Sequence, residues 1–240
     1  MTTPMVGASL TAPPTPLPQQ IPRLENGDRL TRDEFERRYA AMPHVNQAEL
    51  LEGIVHMPSP VRIDQHGKPH AQIMTWLGHY WAHVPDVVVG DNSSIRLDLD
   101  NEPQPDAVMF IAPERGGRVR ISDDGYVEGA PELVAEVAAS SVSIDLHTKF
   151  RVYRRNQVGE YLVWRVLDQA IDWFSLRGGD YQRLAPDTDG CVQSQIFPGL
   201  WLDASAILRG DLASVLRTLD RGLASPACAE FAARLRAKPT

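Results

Sequence analysis

Two acids and a lysine stand where plain packing does not want them. Asp106 follows Pro105 and opens the apolar run that ends at Ile111. Glu136 lies in the middle of Leu133-Val-Ala-Glu-Val-Ala-Ala139, a stretch that otherwise reads as buried. An unpaired carboxylate in such a place costs several kcal/mol or takes up a proton. Two of them on neighbouring strands repel unless a cation sits between. A hard divalent ion with oxygen ligands is the usual solution. Lys149 is the third member. On a helix begun at Ser143 it falls beside the apolar stripe Leu146, Phe150 and Tyr153, and its long stem can carry the amine toward a strand end. Two carboxylates that hold Mg²⁺ (or Mn²⁺), with a lysine that stabilises charge on a phosphate, form a site that can hydrolyse a phosphate ester. Position 138, two residues after the second acid, is Ala, so the lysine of such a site comes from the following helix.

Each residue also has a plainer role. Asp106 could turn the chain after proline, and Glu136 could serve a structural ion pair. Lys149 has Asp145 at i−4, a helix pair worth only about a few tenths of a kcal/mol. On that basis Lys149→Met should leave folding nearly intact. Glu49 alternates with Leu50 and reads either as a strand-edge charge or as a site member. His70 lies toward the flank of its helix stripe and is a nearby candidate. His79 and His83 have zinc-pair spacing but no evident third ligand. His66 and His70 share that spacing, yet Gly67 and Pro69 argue against one helix across both.

These residues need elements to hold them. Thr31-Arg-Asp-Glu34 reads as a capping box that starts a short helix to about Tyr39. Residues 48–57 read as a strand with a turn or kink at Gly53. Residues 69–83 form an amphipathic helix, with Ile73, Trp76, Leu77 and Tyr80 on one stripe. Val87–Val89, Ser94–Leu99, Pro105–Ile111 and Leu133–Ala139 are strands, the last apolar on both faces as in a covered central strand. A helix follows from Ser143 to about Asn156. Tyr161–Val166 and Ala170–Leu176 pair around a turn at Asp168. Residues 204–238 form one or two helices broken near Ser225-Pro226. The aromatics Trp164, Trp173 and Phe174 read as sheet packing.

The composition sets limits. The 240 residues are 43% hydrophobic, enough for an ordinary core. No apolar run reaches the roughly 20 residues of a membrane helix. The N-terminus does not read as a signal peptide, so a cytoplasmic protein is expected. Two cysteines, Cys191 and Cys228, make neither a disulfide framework nor a cysteine metal site. Residues 1–22 carry six prolines and no charge, which predicts a flexible arm. The net charge of −7 argues against a strong standing grip on nucleic acid, although an acidic metal site contributes part of it.

The order of motifs resembles the Uma2 family, described as a restriction endonuclease domain. The resemblance rests on Glu49-Leu-Leu-Glu-Gly53, His70 opening a helix, Pro105-Asp106, Gly129-Ala-Pro-Glu-Leu-Val-Ala-Glu-Val137, Lys149 with Tyr153, Val158-Gly-Glu-Tyr-Leu-Val163 and Phe197-Pro-Gly-Leu200. It covers roughly residues 28–208. It implies an α/β fold with a restriction-endonuclease-like core, a central mixed sheet flanked by helices, and a C-terminal helical appendage. The division it suggests is an arm at 1–25, the domain at 26–204 and a helical extension at 205–240. The implied catalytic set is Glu49, Asp106, Glu136 and Lys149, with Asp106 and Glu136 on Mg²⁺ (or Mn²⁺), and His70 nearby. The implied activity is a Mg-dependent endodeoxyribonuclease whose partner is DNA, acting as a homodimer. The chain departs from the family at Ala139-Ser-Ser141, where Ser-Pro-Ser is usual, and at Leu162, where tryptophan is usual. A non-enzymatic binding or structural protein with a weakened site is the alternative, favoured by the acidic balance.

Overall fold

Leu133–Ala138 is buried along its whole length, and the chain wraps around it. The computed structural model describes residues 21–57 and 62–237. The expected arm at 1–22 therefore lies outside the described residues except for its last two positions. In chain order the elements are α1 (Arg32–Ala40), β1 (Glu49–Leu51), β2 (Ile54–His56), α2 (Lys68–His83), β3 (Val87–Asp91), β4 (Ile95–Arg96) and β5 (Ala107–Ile111). Next come β6 (Arg120–Ile121), β7 (Val127–Glu128), β8 (Leu133–Ala138), α3 (Phe150–Arg155), β9 (Glu160–Arg165), β10 (Ala170–Arg177) and β11 (Asp180–Arg183). The chain ends in β12 (Cys191–Gln193), β13 (Trp201–Asp203), α4 (Ala204–Leu208), α5 (Leu212–Leu223) and α6 (Pro226–Arg236). Short π-helical stretches, Ile63–Gly67 and Ile144–Lys149, run into α2 and α3.

The main sheet has six strands in the order β11-β10-β9-β8-β5-β3. Only β8 and β9 run parallel; their neighbours are antiparallel. A parallel pair needs a crossover, and here the helical segment ending in α3 supplies it. That segment must lie over β8, so its inward residues face the strand that carries Glu136. Alternation then sorts the strand: Ala135 and Val137 join the core under α2, α5 and α6, while Val134 and Ala138 join the core that holds Tyr153, Val158 and Tyr161. Ala107 pairs with Ala135, so one step further Asp106 stands beside Glu136 on the same face.

Several local expectations change. Thr31 does precede α1, but its side chain makes no cap; Glu34 bonds Arg37 and Arg38 instead. The 48–57 strand is a hairpin, turning at Glu52 (φ 52) and Gly53 (φ 73). Ser143 lies within the helix rather than capping it; the Ser141 carbonyl accepts from Ile144 and Asp145 N–H at the true start. The C-terminal segment breaks twice. Gly210 (φ 75) ends α4, Asp211 caps α5, and Ser225 caps α6 through Cys228 N–H.

The C-terminal helices belong to the core. Val215, Leu219, Phe231 and Leu235 pack in one cluster with Trp76 and Leu77 of α2. The contact is close because two glycines meet. A Cβ on Gly222 of α5 would stand 2.2 Å from the Gly199 carbonyl oxygen. Gly222→Ala should therefore cost about 1–3 kcal/mol or more. A Cβ on Gly78 in α2 meets nothing within 4 Å, so Gly78→Ala should add about 0.5–1 kcal/mol. Urea unfolding of the two variants checks the contrast.

Candidate active site

Glu136 is 4% exposed and is held from the crossover helix. Its Oε1 accepts hydrogen bonds from Lys149 Nζ at 2.9 Å and from Tyr153 OH at 2.9 Å. Lys149 also reaches Glu49 Oε1 of β1 at 2.8 Å, and lies 3.8 Å from Asp145. The lysine thus leaves its i−4 neighbour for the two more distant acids. Glu49 Oε1 in turn accepts from Gln104 N–H at 2.8 Å, which ties β1 to the chain entering Asp106. Asp106 Oδ2 accepts from Val137 N–H at 2.6 Å, and Oδ1 lies 2.9 Å from His66 Nε2.

Glu49, Asp106, Glu136, Asp145 and Lys149 line one cleft of about 530 Å³, with His66, Arg62 and Gln65 along another part of its wall. All four sequence-derived candidates for catalysis come together there. His70 sits behind them, its Nε2 3.0 Å from the Asp106 carbonyl oxygen and 2.9 Å from Asp91. The expectation that Gly67 and Pro69 separate His66 from His70 is overturned. Gly67 adopts ordinary right-handed helical angles, and Pro69 falls in the first turn of α2, where a missing N–H costs nothing. The wider π turn closes from Gly67 N–H back to the Arg62 carbonyl and carries both rings to Asp106. His79 and His83 do not join; His79 pairs with Asp220, and His83 bonds the His79 carbonyl.

Sequence reasoning misses two residues of this cleft and one that supports it from behind. It marks Asp145 only as a helix partner, Tyr153 only as core, and His66 as outside the helix. The i, i+4, i+8 spacing Asp145-Lys149-Tyr153 is the available signal. It is hidden because the π stretch shifts the inward face away from Leu146 and Phe150, which are only half-buried.

The electrostatics follow from burial. Burial opposes the Lys149 ammonium, but Glu136, Glu49 and Asp145 outweigh it and hold the lysine well above its ordinary range. Burial pushes the Glu136 carboxyl well up; Lys149 pulls the other way, while Asp145, Asp106 and Glu49 add repulsion. Asp145 is raised for the same first reason. Burial also pushes on Asp106, yet His66, the Val137 N–H and Lys149 hold it below the ordinary carboxylate range. His66 is raised by its bond to Asp106. Four carboxylates around one lysine leave a surplus of negative charge. The oxygen-rich donor set therefore fits a hard divalent cation.

The chain belongs to the Uma2 family, described as "Putative restriction endonuclease", whose family model matches residues 32–205. No curated protein matches the chain. It is similar in fold to a solved structure described as a "putative nuclease belonging to DUF820 from Anabaena variabilis ATCC 29413". That chain is 12% identical, with a TM-score of 0.53 over 75% of this chain and 97% of that one. At such identity the likeness is one of fold. Among the described residues no helix is long and apolar enough to cross a membrane.

The burial of Lys149, 5% exposed, revises the expectation for its removal. Lys149→Met strips three buried carboxylates of their cation and should cost about 3–5 kcal/mol at pH 8. The sign follows from the raised groups. A lysine raised above its unfolded value contributes stability at every pH below the ordinary lysine range. A raised Glu136 contributes least where it must be charged, at high pH. The penalty of Lys149→Met should therefore shrink toward pH 5, as the bereft carboxylates take up protons. Urea unfolding of both proteins at pH 5 and pH 8 measures this; an equal loss at both values would show that charge pairing is not the cause.

Proposed function

We propose that the protein is a metal-dependent endonuclease that hydrolyses DNA phosphodiester bonds at the cleft around Lys149. The observation that carries this reading is the placement of the Lys149 amine 2.9 Å from Glu136 and 2.8 Å from Glu49, in the cleft that Asp106 also lines. Asp106 and Glu136 are the residues that would hold Mg²⁺ or Mn²⁺. Such an ion, when bound, supplies Lewis-acid polarisation of the phosphate and a more acidic water.

The chain's own groups do the rest. Lys149 is fixed by Glu49 and Glu136 before substrate arrives, so its charge is preorganised for the phosphoryl oxygens on which negative charge develops. Glu49 positions that amine and is itself fixed by the Gln104 N–H. Tyr153 OH makes a second hydrogen bond to the same Glu136 oxygen and helps to hold that carboxylate in place. Hydrolysis then consists of attack by water on phosphorus and departure of the sugar oxygen with a proton. Cutting both strands of a duplex calls for two copies of the chain, so a homodimer is part of the proposal.

The test is cleavage of mixed linear and supercoiled DNA with Mg²⁺ or Mn²⁺. Wild-type protein should nick or cut, and Glu136→Gln should reduce the rate by about 10²-fold or more. Lys149→Arg keeps a cation but not its reach, and should lose activity while staying folded. A folded wild-type protein that cuts neither DNA form with either ion would favour the non-enzymatic alternative, which the net charge of −7 already suggests.

Binding has its own pH signature. Glu136 and Asp145 are raised by burial, so a cation competes with protons there. The thermal stabilisation that Mn²⁺ confers should grow from pH 6 to pH 8. Differential scanning fluorimetry with Mn²⁺ at the two pH values measures it, and a shift that falls with pH would contradict the assignment.

A further inference from the structure

Asp106 faces two ways, and only one of them belongs to the carboxylate and lysine cluster. Its Oδ2 accepts from Val137 N–H on the strand of Glu136, while its Oδ1 lies 2.9 Å from His66 Nε2. On that second side His66 and His70 stand with ring centroids 5.6 Å apart. Ligand-competent atoms of His66, His70 and Asp106 all lie within 4.8 Å of one another. Ligands at the roughly 2.0–2.2 Å bond lengths of a tetrahedral ion stand about 3.3 Å apart. The three groups are therefore near closure on an ion with small side-chain movements.

We propose that His66, His70 and Asp106 form a second metal site, selective for a transition ion such as Zn²⁺ or Co²⁺, which shares Asp106 with the carboxylate cluster. Two imidazoles and one carboxylate are the donors of such ions, whereas Mg²⁺ keeps oxygen ligands and water. The hydrogen bonds now present are those that a metal replaces. A proton lies between His66 Nε2 and Asp106 Oδ1, and His70 Nε2 is within 3.0 Å of the Asp106 carbonyl and 2.9 Å of Asp91 Oδ1. Metal uptake exchanges those protons for the ion. Asp91, at the end of β3 and 58% exposed in its side chain, is free to turn with His70 and to hold the ring or complete the ligand set. The rings are placed by the π turn before α2 and the first turn of α2 itself, so the site is built from one helical run and the start of β5. A purely structural role, in which His66 only anchors that turn to Asp106, is the competing account.

The site can be tested without any cleavage, so its failure is separate from failure of the nuclease reading. Chelator-treated protein is titrated with Co²⁺ and followed by visible absorption. The expected result is d–d bands of imidazole-ligated, four- or five-coordinate Co²⁺, displaced by Zn²⁺ and unaffected by Mg²⁺. His66→Gln, which can still hydrogen-bond Asp106, and His70→Gln should each weaken Co²⁺ binding by about tenfold to a hundredfold. Glu136→Gln should leave the spectrum in place. Imidazole resonances of His66 and His70 in the wild-type protein should shift on adding Zn²⁺, a measurement that needs no variant to fold. Bands that survive His66→Gln and vanish in Glu136→Gln would place the ion in the carboxylate cluster and overturn the proposal. Absence of bands together with unmoved histidine resonances would overturn it as well.

Discussion

The cleft depends on one buried cation. Lys149 is the charge that lets Glu136, Glu49 and Asp145 share a space almost closed to water. Desolvating these groups is costly, and only close pairing offsets it. Everything that supports the pairing is therefore constrained. The parallel β8–β9 pair demands a crossover, and the crossover helix must lie flat on the sheet for its amine to reach β8. The hairpin β1–β2 must bring Glu49 from the other side. Gln104 N–H must fix that carboxylate. Moving any one of these supports leaves a charge buried without its partner.

Two π-helical stretches border this arrangement, and both lead into helices at the cleft. In one, Phe150 N–H closes back to the Asp145 carbonyl; in the other, Gly67 N–H closes back to the Arg62 carbonyl. Each adds a residue to a turn, and so rotates the next helical turns against the sheet. The first turns Asp145, Lys149 and Tyr153 inward together. The second brings His66 level with His70 beside Asp106. These are local departures from ideal helix geometry, and they place polar side chains where a regular helix would have set apolar ones.

Charge is distributed to the same end. The chain carries a net −7, and four carboxylates of that total line one cleft. An acidic cleft repels a phosphate backbone until cations neutralise it. Arg62 lies on the cleft wall. Elsewhere arginine is largely spent on pairing, as with Arg96, which binds Glu36 and Asp124.

The sequence by itself determined the strands β3, β5, β8, β9 and β10, the order of motifs and the polar exceptions within those strands. A run such as Leu133–Ala139 suits a covered strand, and a carboxylate inside it stands out because burial makes it expensive. Asp106, Glu136 and Lys149 were legible for that reason, and Glu49 through its family motif. Periodicity also located α2 and the β9–β10 pair, since one apolar face per element is a local property. Tertiary structure alone decided which polar groups meet. Lys149 could have served Asp145, four residues before it; the closer Glu49 and Glu136 come from elements 100 and 13 residues back. The π turns, invisible to a 3.6-residue count, decided that His66 and Tyr153 face the acids. The C-terminal helices, readable as helices, became core by packing on Trp76 and Leu77 of α2 and Leu202 of β13. Local pattern specifies what an element must bury. Which charge it buries that face against depends on a crossover and on packing that no short window contains.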